Sequence, residues 1–519
     1  MSEQLALLPG RLLAHLELAL AALALAVGLG VPLGVAVTRR RTLEASVLGA
    51  ASAIQTIPSL ALLAVMVPIL AALGGFTAAA FGVALSSIGY APALAALTLY
   101  SLLPVLRNTV AGIRAVDPAL REAAQGVGMT PGQQLRRVEL PLAMPVVVAG
   151  MRTAAAFAVG TATLSTPVGA TSLGDFIFSG LQTRNGAAVL VGCAAAAALA
   201  LLLDGLLGGL ERGLRERRRA ATGLALAALA ALGAGTAGAA AWRRAGAETP
   251  LRIGAKPFTE QYVLAEILAQ WIERRTGASA APVGSLGSTV AFDALRAGEI
   301  DAYVEYSGTV WATLMRRADV PTRGEVLAEM ERWLAREHGI AVAGALGFDN
   351  TYALGMRGDD ARARGLRGIG DLAPLAPRLA MAGDFEFFAR PEWRALANAY
   401  GLRFRARRTM DPSLMYQALA AREVDVISAY STDGRLAAHD VVLLEDAKGV
   451  IPPYDAVVLA SPELADARPR ALAALRELTG RIDRARMQRM NFAVDGEGRS
   501  PRDVAAAFVD RLAARAAPR

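Results

Sequence analysis

Three histidines, one cysteine and two lysines are all that this 519-residue chain offers to acid–base, thiol or phosphate chemistry. Their surroundings do not suit it. His15 stands at the start of an apolar run, and His338 and His439 have neither a serine elbow nor metal-ligand spacing around them, so no catalytic residue, metal site or cofactor is expected. Cys193 lies inside an apolar run, reads as a small core residue, and has no second cysteine in the chain to pair with. Neither Lys256 nor Lys448 sits in a G-x-x-x-x-G-K-[ST] phosphate loop, so energy from ATP would have to come through a partner. One segment does carry a demanding spacing: Glu122-Ala123-Ala124, three residues, Gly128, nine residues, then Val138-Glu139-Leu140-Pro141. The two alanines let another helix approach closely, Gly128 permits a turn between helices, and Pro141 restarts the chain into a new one.

The elements that would position these residues divide sharply by composition. From Leu5 to Trp242 the sequence is Ala, Leu, Val and Gly in apolar runs, which predict membrane-spanning helices at roughly 15–37, 46–72, 88–111, 142–166, 187–209 and 221–241. Gly74 to Ser87 is apolar but Gly-rich and reads as a short re-entrant or seventh element. The first apolar run is too long for a signal peptide and lacks a basic leader, so the first helix itself is expected to direct insertion. The net charge of +8 does not indicate nucleic acid, because the arginines cluster at the ends of apolar runs. Arg39 to Arg41, Arg114 to Arg137 and Arg212 to Arg219 alternate correctly if all three loops are cytoplasmic, which puts the C-terminal half outside the cytoplasm.

Beyond Pro250 charges recur every few residues and short strands alternate with helices. Strands are predicted at Leu251–Ala255, Ala281–Ser285, Asp301–Tyr306, Tyr352–Met356, Arg378–Ala382, Phe404–Thr409, Val424–Tyr430 and Val441–Leu444. The alternation implies two lobes, each an open parallel sheet covered by helices, with helices from Arg468 onward closing against the first. The organisation expected is therefore multi-domain, with residues 1–215 an all-α polytopic membrane domain, 216–249 an additional helix and linker (the linker proper being Arg243 to Thr249), and 250–519 a two-lobed α/β domain.

The Glu122-to-Pro141 segment resembles the coupling-loop signature of ABC importer permeases, with Val138 replacing the usual Ile. The resemblance implies that Glu122, Ala123, Ala124, Gly128, Leu140 and Pro141 form a cytoplasmic dock for a separate ATPase. Gln55-Thr56-Ile57-Pro58-Ser59, Ile88-Gly89-Tyr90-Ala91-Pro92-Ala93 and Leu103-Pro104-Val105-Leu106-Arg107-Asn108-Thr109 are similar to the permeases of quaternary-amine importers. The second half resembles the binding proteins of the same importers through Gly254 to Gln261, Tyr303 to Thr309, Asn350 to Leu354, Ala429 to Arg435 and Pro452-Pro453-Tyr454. A permease fused to its periplasmic-binding-protein domain follows, in the plasma (inner) membrane, acting as a homodimer on a quaternary-ammonium ligand such as glycine betaine, choline or carnitine.

The resemblance also places Tyr306, Tyr352, Tyr430 and Tyr454 where that family builds an aromatic cage, with Gln261 and Thr309 at positions that add polar contacts. The chemistry is sound, because a trimethylammonium group has no N–H to donate, whereas each aromatic face supplies about 0.5–2 kcal/mol of cation–π attraction. Lys256 and Arg390 could meet an anionic end of the ligand, and Phe385, Phe387 and Phe388 read as core rather than cleft. Another trimethylated zwitterion, ergothioneine, would use the same cage. A membrane-anchored sensor is the competing class, and the coupling segment argues against it, since a sensor needs no ATPase dock.

Overall fold

The computed structural model describes residues 2–81, 86–183, 185–246, 250–317, 319, 321–384 and 387–516. The chain divides into two compact units, a helical one of Met1–Phe178 and Gly186–Ala247 and an α/β one of Glu248–Arg519 with Ser179–Asn185.

The helical unit contains α1 (Ser2–Val37), α2 (Arg41–Thr56), α3 (Ser59–Phe81), α4 (Tyr90–Arg114), α5 (Pro118–Gly126), α6 (Pro131–Gln134), α7 (Leu140–Ala162), α8 (Gly174–Gln182), α9 (Gly186–Arg215) and α10 (Arg219–Gly246). Five of the described helices are long and apolar enough to cross a membrane, or six if α2 and α3 count as one broken span. That pair is where the sequence reading needs correction. The single span expected at 46–72 is bent by 104° at Ile57–Pro58. Proline has no N–H and pushes the residue before it out of the helical region, and Ile57 accordingly adopts φ −69°, ψ 129°. The polar groups freed at the break are taken up by α4: the Tyr100 hydroxyl donates to the Ile57 carbonyl, and Gln55 Nε2 donates to the Tyr100 carbonyl at 2.9 Å. The stretch 74–81, read as part of a separate re-entrant element, continues α3, and residues 82–85 lie outside the described residues.

Small residues let the bundle close. A Cβ on Gly34 of α1 would come within 2.8 Å of Thr109 on α4, and one on Gly150 of α7 within 2.8 Å of the Pro104 carbonyl, so α4 is held tightly between α1 and α7. Arg152 on α7 makes a two-pronged bond to Asp204 on α9, both at 2.9 Å, and reaches Glu211 at 2.8 Å. Helix α10 runs through Arg243–Gly246, which the sequence reading gave to a linker; the segment holds no proline, and Ala and Arg are good helix formers.

The α/β unit is built on β1 (Leu251–Gly254), α11 (Thr259–Thr276), β2 (Ala280–Val283), β3 (Ala302–Tyr306), β4 (Ala341–Asp349), β5 (Tyr352–Arg357), β6 (Ala380–Gly383), β7 (Ala406–Thr409), β8 (Val426–Tyr430), β9 (Val441–Leu444) and β10 (Asp455–Ala460). One sheet has the order β2-β1-β3-β10-β4, the other β7-β6-β8-β5-β9. The alternation predicted parallel sheets, but neither sheet is purely parallel. β10 runs antiparallel to β3 and β4, and β5 antiparallel to β8 and β9. The reason is the path of the chain, which leaves the first sheet after β4, builds all of the second, and returns as β10. β4 and β10 were not expected as strands. Gly344 and Gly347, at φ 151° and 113°, give β4 the look of a loop, and β10 is preceded by Pro452-Pro453-Tyr454. The C-terminal helices close against α11, where Trp271 Nε1 donates to the Ala474 carbonyl at 3.0 Å.

Candidate functional site

Strand register brings the four tyrosines together. Tyr352 opens β5 and Tyr430 ends β8, and the antiparallel pairing sets them opposite each other with ring centroids 4.8 Å apart. Tyr306 ends β3, and Tyr454 stands immediately before β10, its ring edge-on to Tyr352 at 5.7 Å. Each sheet thus contributes two rings to one cleft, and Thr309, three residues past Tyr306, lines it as well. Phe258, which leads into α11, joins them. It stacks on Tyr306 at 6.3 Å and on Tyr430 at 6.2 Å, and so connects rings carried by different sheets. Gln261 is not among the residues that line the cleft; it is buried and donates from Nε2 to the Val304 carbonyl at 2.9 Å and to Tyr306 Oη at 3.2 Å, which braces the ring.

The phenols of Tyr306, Tyr430 and Tyr454 are engaged as donors. Tyr430 Oη lies 3.0 Å from Asp384 Oδ2 and 3.2 Å from Tyr352 Oη, and the Tyr454 hydroxyl donates to Glu392. Burial, reinforced by these neighbouring oxygens, raises the pKa of Tyr306, Tyr430 and Tyr454 well above the ordinary phenol value, so they stay neutral. The centre of the wall is Glu260, only 3% exposed, on the first turn of α11. Its carboxylate accepts from the Tyr306 hydroxyl at 2.6 Å, the Thr432 hydroxyl at 2.5 Å, Asn350 Nδ2 at 2.9 Å and Asn491 Nδ2 at 3.0 Å. No Lys or Arg among the described residues pairs with it. Burial raises its pKa, against the pull of the four donors.

Lys256 is not the surface lysine that the sequence equally allowed. It is 3% exposed, bonded to Glu305 at 2.5 Å and seated 4.9 Å from the Tyr306 ring centroid. Arg390 lines the cleft with its guanidinium 5.3 Å from the Tyr352 centroid. Phe387 and Phe388 pack on each other and on Trp393, as core residues do, while Phe385 lies outside the described residues. Sequence reasoning passed over Phe258, Glu260, Asn350, Thr432 and Asn491 as site residues. Four of them stood inside or beside quoted motifs, but Asn491 lies 231 residues from Glu260 and carried no signal.

In the helical unit, α5 carries Glu122, Ala123 and Ala124. Asp117 caps it, accepting from Ala119 N at 2.9 Å, with Pro118 in the first turn. Gly128 follows at φ 79° with no atom near its missing Cβ, so the backbone conformation alone calls for glycine. A second turn, α6, is capped by Thr130, and five π-helical residues lead to Leu140 and Pro141 at the head of α7. Buried Glu139 ties the loop down through Arg121 at 3.4 Å, Arg39 at 3.6 Å and Gln134 at 3.3 Å. Glu122 and Ala123 are exposed, flanked by Leu120 and Val127, which are 46% and 74% exposed.

Two family models match the chain in succession. Residues 26–216 match the inner membrane component of binding-protein-dependent transport systems, and residues 249–511 the substrate binding domain of ABC-type glycine betaine transport systems. The chain belongs to the ABC importer family of the osmoprotectant, quaternary-amine type. It is a fusion of permease and binding protein, and not itself an enzyme. Among its relatives, an ergothioneine transport permease/ergothioneine binding protein of Helicobacter pylori (strain G27) is 30% identical over 501 residues, 93% of this chain and 86% of the relative. A choline transport system permease protein of Bacillus subtilis (strain 168) is 41% identical over 198 residues, 38% of this chain and 84% of the relative. Among solved structures, one described as a glycine betaine/carnitine/choline ABC transporter is 30% identical, covering 51% of this chain and 98% of its own, with a TM-score of 0.45. An importer permease is an inner-membrane protein, and its binding domain is of the periplasmic type.

Proposed function

We propose that this importer takes up a small quaternary-ammonium solute such as glycine betaine, choline or carnitine. The observation that carries the reading is the cleft itself. Aromatic rings from both sheets converge on it, and its wall holds a buried carboxylate that no Lys or Arg among the described residues pairs with. A trimethylammonium group fits both features, since ring faces attract it without hydrogen bonds and a cation bound there favours the ionised form of the buried Glu260 carboxyl.

Import would be driven by a separate ATPase docked on α5. The exposed Leu120 and Val127 beside Glu122 favour this, as does the anchoring of the loop through Glu139. Two copies of the permease would enclose the pathway, with the arginine-rich loops cytoplasmic and the binding domain outside. Ergothioneine is the second reading, favoured because the relative bearing that name aligns across both halves.

Calorimetric titration of the full-length chain in detergent with choline, glycine betaine, carnitine and ergothioneine tests the ligand class. Binding of none of them would overturn it. Tyr352→Ala should weaken binding by about 1–3 kcal/mol through lost cation–π attraction and methyl contact, and Tyr352→Phe by less than 1 kcal/mol. Equal losses for the two variants would show that the phenol oxygen, not the ring, does the binding.

A further inference from the structure

Asn350 and Asn491 each commit their amide nitrogen to Glu260, at 2.9 and 3.0 Å. Ionised beside a bound trimethylammonium group, the Glu260 carboxylate only accepts, so it fixes both amides with nitrogen toward Glu260 and oxygen away. Asn491 is fixed a second time, because the same nitrogen donates to the Thr432 carbonyl at 2.8 Å. Both side chains line the cleft and are 5% and 3% exposed. Among the described residues no donor reaches Asn350 Oδ1 or Asn491 Oδ1. Buried amide oxygens are almost always paired, and here the geometry forbids pairing by an amide flip.

The surrounding groups sharpen the point. The hydroxyls of Tyr306 and Thr432 both spend their protons on Glu260, whose two oxygens already accept four bonds. Tyr306, Thr432 and Asn491 therefore keep no donor for a ligand carboxylate, and the two amide oxygens remain as acceptors. Resting on the quaternary-ammonium reading above, we propose that Asn350 Oδ1 and Asn491 Oδ1 form an acceptor subsite that takes a neutral O–H or N–H donor of the ligand. The preferred solute then carries such a donor in addition to its trimethylammonium group, either a hydroxyl on a short chain or a ring N–H of an imidazole-2-thione. Glycine betaine offers neither.

Matched ligand pairs test this on the full-length chain in detergent by calorimetry. One pair is choline and propyltrimethylammonium, in which a methyl replaces the hydroxyl. The other is ergothioneine and its analogue methylated on both ring nitrogens. At least one donor-bearing member should bind about ten-fold more tightly than its partner, and Asn350→Ala or Asn491→Ala should bring that ratio below about three-fold. Because the ratio is taken between two ligands on one preparation, a general loss of stability in a variant cancels. Equal binding of both members of both pairs to the unmodified chain, or a ratio that survives both substitutions, overturns the subsite while leaving the cage intact. Failure of all four ligands to bind overturns the quaternary-ammonium reading with it.

Discussion

Glu260 collects donors from Tyr306, Asn350, Thr432 and Asn491, which come from β3, the passage between sheets, the turn after β8 and a C-terminal helix. Burial holds its carboxyl above the ordinary value of 4.5. A carboxyl whose folded-state pKa exceeds its unfolded value favours the folded state below the unfolded pKa, and that contribution is lost as pH rises through the folded pKa. Thermal melts should therefore show a component of stability that declines above about pH 4.5, and Glu260→Gln should flatten it. A melting profile of the variant running parallel to that of the unmodified chain would remove burial as the governing influence on this group. The tyrosines were legible in the sequence because each sits in a compact motif. The carboxylate that organises them was not, because its partners Thr432 and Asn491 lie 172 and 231 residues away and only the fold brings them near.

At the scale of elements, membrane helices and most strands followed from apolar run length and alternation, and the exceptions have local causes. Pro58 broke one expected span, glycines disguised β4, and the antiparallel strands by which the chain enters the second sheet, β5, and returns to the first, β10, made both sheets mixed. The loop from α5 to α7 shows how little of such a segment is adjustable. Gly128 holds φ 79° in open space, so a side chain there meets no clash but forces a backbone conformation that β-branched residues avoid. Gly128→Val should cost about 1–3 kcal/mol locally and misplace α5 relative to α6. Ligand binding in calorimetry should be unchanged, while uptake by cells expressing the variant at normal membrane levels should be lost. Unimpaired uptake would remove α5 as the ATPase contact.

At the scale of the whole chain, only residues 247–250 separate the end of α10 from the start of β1, a tether of at most roughly 18 Å at about 3.6 Å per residue. Fusion on so short a tether keeps the binding domain at an effective concentration near the permease of about millimolar order. Uptake in a host stripped of soluble betaine-binding proteins should therefore proceed once the chain and its ATPase are supplied. A strict requirement for an added soluble binding protein would contradict that role for the fused domain.

Within the binding domain the chain passes between the sheets twice, outward at Asn350-Thr351 and back through the stretch ending at Tyr454. The two passages are joined, because the Asn350 N–H donates to the Tyr454 carbonyl at 2.9 Å. Two strands fastened side by side behave as a leaf hinge rather than a swivel: they bend readily about a line across both, and resist torsion and sliding. A swing of one sheet about that line would carry a ring on one sheet toward its counterparts on the other along a single arc.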